Sequence, residues 1–569
     1  MKMTPADDPT RQLRPAIYWL LILTSTFAMV GRVLTVNGRT NRTPFLSAND
    51  ISRWCTIRSL VDHGTYVIDP VIFNSHTGQH DHPLWHTIDK VRHRSHDGRE
   101  HFYSSKPPLL PTMLAAEYWV IQKLTGATLW GNPFYVGRLM LITSNVLPMV
   151  LYFVLMMRLV ERYGRTDWGR TFVMACVTWG TFLTTFSVTL NNHLPAAISA
   201  TIAISATLAI WYDGKKEWWL FALAGVFSAF TAANELPALS FLVATGFLLL
   251  LKAPKQTLLA FTPAAATVIV AFFYTTWLAH ESLRPPYMHR KDGALIAMVS
   301  VGMTSPNEAT LHEAHRVRIK KLTNGAVDLS PETQITGAPV LSSSNKLSLA
   351  RWVIYDPVNQ KRYAAIGLDQ ILELSIELRE WDNWYEYEGS HWIDRQIKGD
   401  EVEESRAAYA FHVIAGHHGI FSLTPIWILT LIGLGVLVVG SDGEASPLAK
   451  VYTPLDKWRG GSSDDRDYQL RTFALMVIAL SIVVVSFYLA RPLADRNYGG
   501  NTSGLRWLFW FTPMWLTCMI PAADRMASCR KCQVVGWCLL ALSVLSASYA
   551  SLNPWVKPWI ATYLDYLDQ

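Results

Sequence analysis

Charged side chains at the ends of apolar runs are costly unless they meet water or a partner, so their clusters mark where chemistry can sit. The densest cluster reads Asn49-Asp50-Ile51-Ser52-Arg53-Trp54, then Ser104-Ser105-Lys106-Pro107-Pro108-Leu109. Asp50 and Arg53 share one face of any helix there. Alone they make an ordinary surface ion pair, which is common and weak. Lys106 has an equally plain reading, with prolines starting a helix and the lysine reaching toward lipid headgroups. Together the three are more specific. A carboxylate that can accept a proton, beside an Arg and a Lys that can hold phosphate, describes displacement of a lipid phosphate by a hydroxyl.

Further polar groups stand at other run ends. Asn191-Asn192-His193 offers hydrogen bonds to sugar hydroxyls, and Asn192 equally fits a helix cap before Leu194-Pro195. Glu235, the only charge in Asn234-Glu235-Leu236-Pro237, reads either as a site acid or as a helix N-terminal charge. His417 and His418 precede another run. Arg491, Arg496 and Arg506 flank Asn497-Tyr498-Gly499-Gly500, where Arg forks and a glycine pair suit an anion. Arg496 and Arg506 are the candidates for a sugar-phosphate pocket. His76, His80, His82 and His86 have zinc-like spacing, but only Asp81 accompanies them in a Gly-, Asp- and Ser-rich stretch. The Cys529-x-x-Cys532 pair has no second pair, which disfavours a metal or redox role.

The elements that must position these groups are membrane helices. The chain has 569 residues, of which 50% are hydrophobic and 17% charged, and its mean hydropathy is +0.17. That excludes a disordered chain and an ordinary cytosolic multidomain protein. The net charge of +6 comes with no nucleic-acid motif, and Lys and Arg fall mainly between apolar runs, so nucleic acid is not expected as a partner. Runs of about 20 apolar residues predict eleven spans, at 17–36, 136–157, 171–188, 194–211, 218–233, 236–251, 258–279, 420–439, 472–489, 505–520 and 534–550. Basic connections (Arg158 to Arg170, Lys215 and Lys216, Lys252 and Lys255, Lys457 to Arg466, Arg525 to Lys531) predict a cytoplasmic N-terminus. Segments 37–135 and 280–419 then lie outside. The run at 107–124 holds Glu117, Gln122 and Lys123 and reads as a helix in the outer interface. The fold class is thus an all-α polytopic membrane protein with a transmembrane core at 1–279, a small α/β insertion at 280–419, and C-terminal spans at 420–569.

Asp50-x-x-Arg53-aromatic after the first run, followed in the same outer segment by Lys106-Pro107-Pro108-Leu109, resembles the GT-C glycosyltransferases of the protein O-mannosyltransferase and lipid A aminoarabinose transferase type. The resemblance implies an inverting hexosyl or pentosyl transferase that moves sugar from a polyprenyl phosphate to an acceptor hydroxyl, on a protein or glycolipid. It implies an active site facing outward from a bacterial inner membrane. Carried over by motif, Asp50 is the catalytic base, and Arg53 and Lys106 bind the donor phosphate. Asn192, His193, Glu235, His417, His418, Arg496 and Arg506 are the remaining expected substrate-binding residues. Many relatives carry an acid before Lys-Pro-Pro, where this chain has Ser105, and another at the end of the third span, where it has Asn191-Asn192-His193. No metal ligands are expected, although a divalent ion remains compatible. The competing class is a transporter or flippase of a lipid-linked saccharide, which needs polar groups inside the spans rather than at one face.

Overall fold

The computed structural model describes residues 9–73, 83–300, 311–341, 348–368, 375–393, 405–439 and 470–567. His76, His80, Asp81, His82, Lys457, Arg459 and Arg466 lie outside the described residues. Helix α1 (Pro9–Thr35) leads to α2 (Ala48–Asp62), a hairpin of β1 (Lys90–Arg94) and β2 (Glu100–Ser104), and α3 (Leu109–Thr125). There follow α4 (Pro133–Tyr163), α5 (Asp167–Trp179), α6 (His193–Asp213), α7 (Trp218–Asn234), α8 (Leu239–Lys252) and α9 (Pro254–His280). An insertion then contributes β3 (Leu295–Ser300), α10 (Glu313–Leu322), β4 (Gln334–Ala338), β5 (Ser348–Asp356), β6 (Lys361–Leu368) and β7 (Ser375–Glu380). The chain ends with α11 (Arg406–Ile414), α12 (Trp427–Val439), α13 (Arg471–Leu489), α14 (Thr512–Met526), α15 (Arg530–Tyr549) and α16 (Trp559–Leu567).

A helix pairs its own backbone groups, which is what hydrocarbon demands of a spanning segment. Among the described residues six helices are long and apolar enough to cross a membrane: α1, α4, α6, α9, α13 and α15. The chain is an integral membrane protein. Three more of the eleven expected spans appear as the shorter apolar helices α7, α8 and α12. The other two differ from expectation. The run at 171–188 stops at Trp179, where Gly180 ends α5, and resumes as a 3₁₀ turn at Thr185–Val188. Thr184 and Ser187 bond the local carbonyls of Thr181 and Thr184, at 3.5 and 2.7 Å, and so compete with the helical ladder. The run at 505–520 opens as a 3₁₀ turn, Arg506–Phe511, before α14 begins.

Helix α3 presents an exposed apolar face of Met113, Trp119, Val120 and Leu124, and Gly126 ends it in the left-handed conformation at φ 69°. The insertion is a five-stranded antiparallel sheet in the order β3-β7-β6-β5-β4, whose core includes Trp352, Ile354, Tyr363 and Leu378 under Ile319 of α10. Its Arg351 is buried in a double fork to Asp292 and Glu386. The insertion also grips the hairpin beneath it. Arg92 N donates to Trp384 O at 2.8 Å, Trp392 Nε1 to Ile88 O at 2.6 Å, and Arg362 to Glu100 at 2.8 Å.

Candidate active site

Helix α2 begins with a capping box. Ser47 Oγ accepts from Asp50 N, and Asp50 Oδ1 accepts from Ser47 N at 2.8 Å. Asp50 Oδ2 accepts from Leu46 N at 3.0 Å and from Thr189 Oγ1 at 2.9 Å. Ser47 Oγ adds a fourth donor. The carboxylate is buried, and burial raises its pKa against those bonds. Both oxygens of Asp50, the expected proton acceptor, thus accept from protein donors. What the geometry shows is a group that fixes the first turn of α2 and so the direction of Arg53.

Arg53 is one turn on. Its Nη1 donates to Asn49 O at 2.9 Å, and its Nη2 reaches across to Asn192 Oδ1 at 2.6 Å. Asn192 Nδ2 in turn donates to Glu235 Oε1 at 2.7 Å and to Asn234 O at 2.8 Å. The same Glu235 oxygen accepts from His193 Nδ1, and Arg506 Nη1 meets His193 Nε2 at 3.2 Å. Arginine only donates, so Nε2 must accept and the proton of this neutral imidazole sits on Nδ1. One network thus joins the first turn of α2, the start of α6, the end of α7 and the turn before α14. Arg53, Asn192, His193, Glu235 and Arg506, expected separately, meet here.

Lys106 completes the cluster from the hairpin side. Its Nζ pairs with Asp89 Oδ2 at 3.0 Å. Asp89 is held by its backbone: its N donates to Thr87 Oγ1 at 3.0 Å, and its carbonyl accepts from Ser52 Oγ at 2.6 Å and Ser105 N at 3.1 Å. Burial pushes the Asp89 carboxyl up, but Lys106, Arg506 and Arg53 outweigh it and leave it below the usual carboxylate value. Burial brings the Lys106 ammonium down to about 8, with Asp89 opposing and Arg53 assisting. Arg53 is lowered to about 10 by burial and then by Arg506. Burial also pushes Glu235 up to about 8, against the pull of Arg506 and Arg53. Arg53, Lys106 and Arg506 face an anionic Asp89 together with Asp50 and Glu235, two carboxyls that burial biases toward their neutral forms. Such a cluster attracts an anion.

No family model matches the chain, and no curated protein does. Among solved structures it is similar to the S. cerevisiae protein O-mannosyltransferase Pmt1-Pmt2 complex bound to the sugar donor, at 10% identity and a TM-score of 0.41, covering 95% of this chain and 90% of that one.

The remaining expected residues gather beside this network. His418 stacks on Tyr498 with ring centroids 4.4 Å apart and contacts His417 through their Nδ1 atoms. Arg496 donates to Arg491 O at 3.2 Å and lies over Tyr409. This second cluster connects to the first through Gly499, whose carbonyl accepts from Arg506 Nη2 at 2.8 Å. Gly499 and Gly500 have φ of 97° and 68°, a backbone that side chains disfavour, which explains the pair. Lys106 also lines a cavity of about 180 Å³ with Tyr66, Tyr103, Ser104 and His280. A second, largely apolar cleft is lined by Phe182, Leu423, Trp427, Leu505 and Phe509. Among the described residues no three His, Cys, Asp or Glu side chains are grouped to hold a metal.

Asp89 is the site residue that sequence reasoning missed. The hairpin register pairs Lys90 with Ser104, so Asp89 stands opposite Ser105, whose N donates to its carbonyl at 3.1 Å. Thr87-x-Asp89 was the available local signal, a hydroxyl two residues before an acid that turns the chain.

Proposed function

We propose that this protein is an integral-membrane glycosyltransferase that moves a sugar from a polyprenyl-phosphate donor to an acceptor hydroxyl with inversion. The observation that carries the reading is the convergence of Arg53, Lys106 and Arg506, from three separate parts of the chain, on one buried cluster. Guanidinium forks and an ammonium are the groups that hold a phosphate and stabilise it as it leaves. The largely apolar cleft lined by Leu505, Leu508 and Phe509, which follow one another closely in the same turn as Arg506, supports a donor with a hydrocarbon part. The motif resemblance at Asp50, Arg53 and Lys106 points to the same chemistry. With phosphate as leaving group no general acid is needed, and a single displacement inverts the anomeric centre. The acceptor is a protein or glycolipid hydroxyl and the transferred group a hexose or pentose; the basic connections support a cytoplasmic N-terminus and an outward-facing site, and the motif resemblance supports a bacterial inner membrane.

A transporter of lipid-linked saccharide would place such groups along the spans, whereas here they sit at helix ends: His193 opens α6 and Glu235 closes α7. The test uses radiolabelled polyprenyl-phosphate hexoses and pentoses as donors, with membranes from cells lacking the protein as acceptor. Transfer of label with inverted configuration is expected. Translocation of the donor across vesicles without any transfer would favour the transporter. Lys106→Ala and Arg53→Ala should each weaken donor binding about 10- to 100-fold, the value of a charge-assisted hydrogen bond. Unchanged affinity in both would remove the phosphate assignment.

A further inference from the structure

The carboxylates of the cluster differ in what their oxygens are doing. Asp50 accepts from Leu46, Ser47 and Thr189 on both oxygens. Asp89 is paired with Lys106 and held anionic by the surrounding cations, which makes it a weak base. Glu235 is different. Both of its donors, Asn192 Nδ2 and His193 Nδ1, converge on Oε1, and Oε2 takes no bond from the described residues. His193 is itself set from behind by Arg506, so the imidazole behind Oε1 keeps one tautomer and one orientation. A carboxylate gripped by one oxygen and presenting the other is built to exchange a proton with something that arrives.

We infer that Glu235 Oε2 takes the proton of the acceptor hydroxyl, an assignment that rests on the glycosyltransferase reading above. In that step the acceptor oxygen bonds to the anomeric carbon. The bond from that carbon to the donor phosphate breaks, its electron pair leaves with the phosphate onto Arg53, Lys106 and Arg506, and the hydroxyl proton passes to Glu235. Burial outweighs the pull of Arg506 and Arg53 and keeps the proton-accepting group near neutrality rather than far below it, which is where a general base is most effective. The groups facing Glu235 are Asn192 and His193 of α6, Arg53 of α2, Arg506 before α14 and Tyr488 of α13, with Lys106 and Asp89 beyond Arg53. Loss of its proton is required for activity, so the transfer rate should rise with pH.

The test is single-turnover transfer by the full-length protein with the donors and acceptor membranes named above. Wild type at saturating donor should transfer label at a rate that rises over about pH 6 to 8, below the pH at which Lys106 loses its charge. Glu235→Gln keeps both acceptor contacts on its carbonyl. It should bind donor within about threefold of wild type, transfer about 100- to 10,000-fold more slowly, and lose the pH dependence. Glu235→Asp should restore part of the rate together with a pH dependence. Wild type that transfers no label overturns the transferase reading itself. Wild type that transfers label at a rate flat with pH, or Glu235→Gln within about tenfold of wild type, overturns Glu235 alone and leaves that reading standing. Should Glu235→Gln fail to fold, the wild-type profile and Glu235→Asp decide, and an unshifted profile in Glu235→Asp overturns the assignment.

Discussion

Asp50→Asn separates a positioning carboxylate from a chemical one. The substitution keeps the shape but offers one acceptor oxygen in place of two. If the amide nitrogen takes the Oδ2 position, Thr189 can reverse its hydroxyl and accept, but Leu46 N–H faces a donor and is orphaned. If it takes the Oδ1 position, Ser47 N–H is orphaned instead. Either way one buried backbone donor loses its partner, at about 1–3 kcal/mol, and the surviving bonds lose their ionic component. The sum is about 2–4 kcal/mol, concentrated in the first turn of α2. At 1.4 kcal/mol per factor of ten, amides of Leu46, Ser47 and Ile51 should exchange with solvent about 30- to 700-fold faster than in wild type. Hydrogen exchange read by mass spectrometry on a peptide covering 44–54 measures this directly. Turnover should fall through weaker donor binding as Arg53 loses its direction, while the rise of rate with pH survives. Exchange within about threefold of wild type, accompanied by complete loss of turnover and of pH dependence, would refute the positioning argument and return the proton to Asp50.

Donor affinity should itself depend on pH. Lys106 is lowered to about 8 in the free protein, so its charge is present below that pH and lost above it; donor binding measured from about pH 6 to 10 should weaken on the alkaline side, and Lys106→Arg, charged throughout, should abolish the change. Arg351→Met leaves Asp292 and Glu386 buried without their cation, a loss of about 3–5 kcal/mol that limited proteolysis should register as cleavage within the insertion; a resistant variant would contradict it. Cysteines at Val358, exposed in the insertion, and at Lys216, between α6 and α7, should react from opposite sides with an impermeant thiol reagent, Val358→Cys from outside. The reverse pattern would turn the site toward the cytoplasm.

Much of the helical framework was legible because about 20 apolar residues in a row leave the backbone few alternatives to helix. Legibility failed where hydroxyls compete with that backbone. Thr184 and Ser187 counted as apolar enough for a span, yet both bond local carbonyls in the irregular stretch that follows the early end of α5. The irregular stretch they form is what carries Thr189 to Asp50 and Asn192 to Arg53. The site's cations and amides could be picked out singly because a charge at the end of an apolar run is expensive. Their meeting depends on which helix ends lie side by side, and no spacing along the chain encodes that. Asp89 stayed hidden for a related reason. Beside Lys90 it reads as one half of a surface pair, and only the register of β1 on β2 puts it across from Ser105 and against Lys106. Ser47-Ala48-Asn49-Asp50 was the opposite case, a capping-box pattern open to view, in which the resemblance drew the acid toward chemistry while its spacing from Ser47 assigned it to the helix start. The box itself claims Oδ1, while Oδ2 is shared between Leu46 N and Thr189 Oγ1 from a distant part of the chain. Glu235, by contrast, has both its donors on Oε1, and that one-sided grip is a property of the assembled helix ends rather than of any motif.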